Sequence, residues 1–190
     1  MTMTTTTTSD LPVLELDRAG WRSWLAENHS SSRGCWLVVD RRKGPDSSKL
    51  AYLDAVEEAL CFGWIDSTLR PAGDLTIQRF TPRRKDSNWT ELNIVRCERL
   101  ERLGLMTDAG RAAIPDRTFS IDDDVMAAIR SDPEASANFD LLPQLYVRIR
   151  VANIQCKRGT PLFDYRLDRF LKDTRRGLVR GAWDDGGRLS

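Results

Sequence analysis

The segment IDSTLRPAGDLTIQRF, residues 65–80, holds two runs of strand-forming residues, Ile65–Leu69 and Leu75–Phe80, on either side of the turn-forming tetrad PAGD. A β-hairpin is the economical reading. Strand alternation then places Leu75, Ile77 and Arg79 on one face and Thr76, Gln78 and Phe80 on the other. Arg79 therefore needs an acidic partner, a ligand or an exposed strand end, because an unpaired buried charge costs on the order of several kcal/mol.

Immediately upstream, Leu53, Val56, Leu60 and Trp64 recur at helical spacing with Asp54, Glu57 and Glu58 on the opposite side, and Gly63 provides a stop. Farther upstream, CWLVV at 35–39 reads as a buried strand, separated from that helix by the polar loop RRKGPDSSK at 41–49. Asp17 caps an earlier helix whose Trp21, Trp24 and Leu25 share a face. Downstream of the hairpin, Ser87 or Thr90 caps a helix with an apolar stripe of Leu92, Val95, Leu100 and Leu103. A brief helix after Thr107 and two short ones over Ser120–Arg130 and Pro133–Phe139 follow, the first of that pair with DDD in its opening turn. Leu142, Leu145 and Ile149 mark another, and Phe163, Leu167, Phe170 and Leu171 mark the last, with Arg166, Arg169, Lys172 and Arg175 outside.

The expected fold class is α+β: a small antiparallel sheet of about three strands covered by helices, followed by an all-helical C-terminal module. A winged-helix arrangement with the hairpin as wing is the alternative. The expected organisation is a disordered tail over 1–12, an α+β domain over 13–115, a helical module over 116–178 and a frayed tail over 179–190.

A chain of 190 residues, 41% hydrophobic, is long enough for one good core or two small ones. Its formal charge of +1 gives no whole-molecule argument for nucleic acid or an acidic membrane. The distribution is uneven, with three arginines against eight acids over Thr107–Asp140 and ten Lys or Arg against three Asp over Leu141–Arg180. Cys35, Cys61, Cys97 and Cys156 are widely spaced and lack the CxxC or histidine pattern of a zinc site, so no metal is expected, and no cofactor motif occurs. The N-terminus has no secretory pattern and no run approaches membrane-span length, so a cytoplasmic protein is expected.

The expected ligand site is the basic run after the hairpin. Arg79, Arg83, Arg84 and Lys85 lead into a helix start near Ser87, with Trp89 as a flanking wall and Asn93 one turn inside. Guanidinium forks and the unpaired N–H groups of a helix start both suit phosphate or carboxylate; the plain alternative is a solvated loop paired with Glu91, Glu98 or other acids. For catalysis only Asp66 and Cys61, at the helix-to-strand passage, are weak candidates, and no nucleophile, base and orienter can be grouped. His29, the single histidine, stands at a helix end and reads as a surface or capping residue.

Several long segments carry a family resemblance: SWLAENH (23–29), GCWLVV (34–39), YLDAVEEALCFGWIDS (52–67), QRFTPRRKDSNWTELNIVRCERL (78–100), GLMTDAG (104–110), DDDVMAAIRSDPEASANFDLLP (122–143) and KRGTPLFDYRLDRF (157–170). Over 16–177 the chain resembles the YdeI/OmpD-associated (OmdA, bacteriocin-protection) family. The resemblance implies an α+β N-terminal unit with a small helical module, and a link to tolerance of bacteriocins or antimicrobial peptides without an established reaction. In the last segment only Lys157, Arg158, Arg166 and Arg169 follow the family's pattern. The functional expectation is an anion-binding, stress-tolerance protein whose partner is a small anion or phosphorylated ligand. A nucleic-acid-binding module and an enzyme acting on a phosphorylated or carboxylated small molecule are the alternatives.

Overall fold

The computed structural model describes residues 11–41, 49–181 and 183–189. Most of the expected N-terminal tail and of the 41–49 loop falls outside them. The chain forms two compact units, one from residues up to 87 with 100–114, the other from 88–99 with 115–190. The first is α+β and the second is helical. Both agree with the expected fold class, but the split falls inside a helix rather than only after 115.

In the α+β unit, β1 (Val13–Leu14), β2 (Cys35–Val38), β3 (Trp64–Ala72) and β4 (Leu75–Pro82) form one sheet in the order β1-β2-β4-β3. The sheet has four strands rather than three and is mixed, because β1 runs parallel to β2. The hairpin is present as β3 and β4, with a register shift between Asp66 and Leu69. It is no free wing, since Ile77–Phe80 of β4 are also paired with β2.

Helices α1 (Arg18–Asn28) and α2 (Tyr52–Cys61) belong to the same unit. Asp17 caps α1 by accepting from the Gly20 N–H at 2.7 Å. Trp21 and Leu25 are fully buried; the Trp21 ring lies 5.4 Å from Phe80 of β4, and its indole N–H donates to the Ala55 carbonyl at 3.0 Å. Burying an indole requires such a partner. Alternation sends Trp36, Val38 and Ile77 to the opposite face of the sheet, where they cluster with Leu11 and Leu75 and the Arg70 guanidinium stacks 3.8 Å over the Trp36 ring.

Glu57 and Glu58 are not the solvated back of α2 that helical spacing implied. Both are buried, because Arg18 bridges Asp54, Glu57 and Glu58 at 2.9, 3.2 and 2.7 Å, and Arg22 reaches Glu58 at 2.6 Å. Paired in this way, buried carboxylates keep α1 and α2 in register; unpaired they would be costly. The end of α2 is held by α4 (Asp108–Ala113), whose Thr107 cap donates through Oγ1 to the Cys61 carbonyl at 2.6 Å. The approach is so close that a Cβ on Gly110 would lie 2.2 Å from that carbonyl oxygen.

The helical unit contains α5 (Asp123–Arg130), α6 (Pro133–Phe139), α7 (Gln144–Gln155) and α8 (Pro161–Arg175), with the first nine residues of α3 (Glu91–Arg102). Its core gathers Val125, Ile129, Phe139, Tyr146, Val151 and Phe170. α7 is buried nearly all round, on Tyr146, Val147, Ile149, Val151 and Ile154, rather than along the narrow stripe expected from Leu142, Leu145 and Ile149. Leu103 likewise leaves the expected stripe of α3 and is exposed.

The C-terminal segment expected to fray is built into this unit. Trp183 meets Tyr146 edge-on at 5.8 Å, and the buried Asp185 accepts from Arg96 at 2.7 and 2.9 Å. Asp185 adopts φ 52°, a left-handed conformation that Asp tolerates better than most residues. Among the described residues no helix is long and apolar enough to cross a membrane.

Candidate functional site

α8 starts with Pro161 at its first turn and turns Phe170 inward; Arg166, one turn before Phe170 on the same face, is half-buried, and Arg169 is exposed. α7 contributes Arg150 and Asn153 to the same space, and the segment after α8 contributes Arg180. Together with Tyr146, Ile154, Tyr165, Phe170 and Asp173 they line a cleft of about 390 Å³. Tyr146, Ile154 and Phe170 are buried and form its apolar floor.

The cleft holds four guanidinium groups and one carboxylate. Arg180 donates through Nε to Asp173 at 2.9 Å, Arg166 donates to the Asn153 carbonyl at 2.5 Å, and Arg150 donates to the Arg180 carbonyl while its guanidinium sits 5.3 Å from the Tyr146 ring centre. Each of these contacts uses part of a five-donor fork, so donors remain for a ligand. Two of the contacts are to neutral carbonyls, which orient a guanidinium without cancelling its charge.

Four arginines elsewhere in the unit are paired with acids. Arg148 pairs with Glu91 and Glu98, Arg158 with Asp122 and Asp124, Arg175 with Asp132, and Arg130 with Asp140. The Arg158 contact lowers the Asp124 carboxyl below its ordinary value. Asp132 is also lowered, first by the Ala135 N–H it caps and then by Arg175. With Arg148, Arg158 and Arg175 so paired, the positive surplus of residues 141–180 rests on Arg150, Arg166 and Arg169 in the cleft and on Lys157 and Arg176 outside it.

Of the residues expected to form a site at the basic run, Arg79, Arg83, Arg84, Lys85 and Ser87 belong to the α+β unit and Trp89 and Asn93 to the helical one. Arg79, half-buried on β4, stands opposite Trp36, and its Nε is buried without a hydrogen-bond partner. Arg83 is half-buried and its backbone N–H donates to the Gly63 carbonyl at 2.9 Å, whereas Arg84 and Lys85 are exposed. Ser87 caps no helix; its hydroxyl accepts from the Arg84 N–H at 2.8 Å and closes a turn. Thr90 is the cap of α3, accepting from the Asn93 N–H at 3.3 Å, and Glu91 fills the first turn. Trp89 and Asn93 belong to the helical unit and are buried there. The Trp89 carbonyl accepts from Arg117 and the Asn93 side-chain oxygen from Arg96, at 2.8 and 2.7 Å.

Residues 14–113 match a family described as a domain of unknown function, DUF8412. The chain belongs to the DUF8412 family. No curated protein and no solved structure matches it. The matched DUF8412 region ends before α5, so the arginine cleft lies in sequence beyond it.

Within the DUF8412 region, Asp66 does not pair with Arg70 or Arg79. The Tyr52 hydroxyl donates to its Oδ2 at 2.7 Å, the buried Gln78 amide approaches the same oxygen at 3.5 Å, and Arg41 stacks 4.0 Å over the Tyr52 ring. Cys61 is separate from this group: burial pushes its thiol up to about 11, with Arg22 opposing, so it is held protonated and unreactive. His29 caps α1, its Nδ1 2.9 Å from the Leu25 carbonyl. Among the described residues no group of three or more His, Cys, Asp or Glu could hold a metal ion.

Arg166 and Arg169 were legible as part of a basic side of this helix, expected together with Lys172 and Arg175. Arg150 and Arg180 were not, because nothing local marks them as neighbours of that face.

Proposed function

We propose that this protein is an anion-binding protein whose ligand, a small phosphorylated or carboxylated molecule, occupies the arginine cleft of the helical unit. The observation that carries this reading is the set of Arg150, Arg166, Arg169 and Arg180 around a space of about 390 Å³ with only Asp173 to oppose them. A space of that size falls within the range of small-molecule sites, about 300–1,000 Å³. Guanidinium forks favour oxygen anions that accept in pairs.

The resemblance to YdeI/OmpD-associated proteins supports placing this binding in bacteriocin or antimicrobial-peptide tolerance, in the cytoplasm. The cleft's charge argues against direct capture of a cationic peptide there, since like charges repel; the link runs through an anionic metabolite or signal. Binding rather than catalysis is the function proposed, because the one carboxylate in the cleft already holds Arg180.

Isothermal titration of the full chain with inorganic phosphate, citrate and a nucleoside monophosphate tests the reading. Binding is expected to weaken with salt and to fall at least tenfold in an Arg166→Ala/Arg169→Ala variant whose circular dichroism is unchanged. No heat with any of these anions, or unaltered binding in that variant, refutes it.

A further inference from the structure

Resting on that reading, we infer that the cleft's ligand is a ring-bearing phosphate ester of the nucleoside monophosphate class, with the phosphate on the arginines and the ring on Tyr165. A bare tetrahedral anion would engage one or two guanidinium groups and leave most of the 390 Å³ to water. The remaining walls are chemically different. Tyr146, Ile154 and Phe170 give an apolar floor, and Tyr165 is on the rim, 58% exposed, with no ring contact among the described residues.

Position along α8 joins these features. Tyr165 and Arg169 are four residues apart, as are Arg166 and Phe170, and Arg169 and Asp173. Side chains at that spacing are neighbours on one helix face, their Cβ atoms about 5–6 Å apart. An aromatic surface is thus set one helical turn from a guanidinium, an arrangement suited to a molecule with a flat ring at one end and a phosphate at the other. Asp173 binds Arg180 through Oδ1, so Oδ2 is left as an acceptor for a sugar hydroxyl. An exposed tyrosine also stacks at low entropic cost, because only two side-chain torsions are fixed.

The test is titration of the full chain with AMP, ribose 5-phosphate, inorganic phosphate and an eight-nucleotide single strand without terminal phosphates. AMP is expected to bind at least tenfold more tightly than ribose 5-phosphate or phosphate, the scale of one base–aromatic stack. Tyr165→Ala should remove that margin and leave phosphate affinity unchanged, whereas Tyr165→Phe should keep it. Equal affinities for AMP, ribose 5-phosphate and phosphate overturn the ring assignment while leaving anion binding intact. Absence of binding by all of them overturns both. Tighter binding of the single strand than of AMP overturns the small-ligand assignment in favour of nucleic acid.

Discussion

Replacing Asp185 by Asn isolates the energetic role of the C-terminal segment. Arg96 and Asp185 have side-chain exposures of only 10% and 7%, and their two hydrogen bonds, 2.7 and 2.9 Å, form a bidentate pair. Removing one member of such a pair leaves a buried charge uncompensated, a cost of about 3–5 kcal/mol. Two features reduce it here: Asn93 still accepts from Arg96 at 2.7 Å, and an Asn at 185 keeps one acceptor. Asn also tolerates the φ of 52°, so backbone strain does not confound the result. The expected loss is about 2–3 kcal/mol in urea unfolding. A double variant, Arg96→Gln/Asp185→Asn, should lose less than the single one, because a neutral amide pair carries no stranded charge. The same single variant should weaken phosphate binding, since Trp183 and Arg180 are on the segment Asp185 fastens. A single-variant loss below about 0.5 kcal/mol, the size of an ordinary surface substitution, would show that the ion pair does not hold the segment.

Gly110→Ala should destabilise the protein by at least about 1–3 kcal/mol in thermal or urea unfolding, because the added methyl would meet the Cys61 carbonyl oxygen at 2.2 Å and α4 would have to move. In the native protein Cys156 alone should react promptly with a thiol reagent near pH 8, since Cys35, Cys61 and Cys97 are buried and burial pushes the first two up to about 12 and 11; prompt labelling of two or more thiols contradicts this. Asp124, Asp132 and Asp140 have carboxyls lowered from 3.8, so their contribution is present above that value and is lost as pH falls through their lower folded values. Hydrogen exchange of α5 and α6 should therefore accelerate as pH is taken from 5 to 3 beyond the intrinsic change in exchange rate, and an unaltered protection pattern counts against those pairs as supports.

The sequence by itself determined the elements whose signals are local. The hairpin followed from two alternating runs around PAGD, α6 from the run opening at Pro133, and α1 from Asp17 ahead of Trp21 and Leu25. Period and capping act over a few residues, so they survive without tertiary information. Charge could not be read in this way. Arg96 finds Asp185 across 89 residues and Arg18 finds Glu58 across 40, and only such long-range meetings decide which ions are neutralised. The basic run at 79–85 is contiguous in the chain, whereas Arg150, Arg166, Arg169 and Arg180, dispersed over 31 residues, are brought to one cleft. Tertiary structure alone decided this, because a guanidinium's availability depends on the carboxylates that packing places beside it and not on its neighbours in the chain.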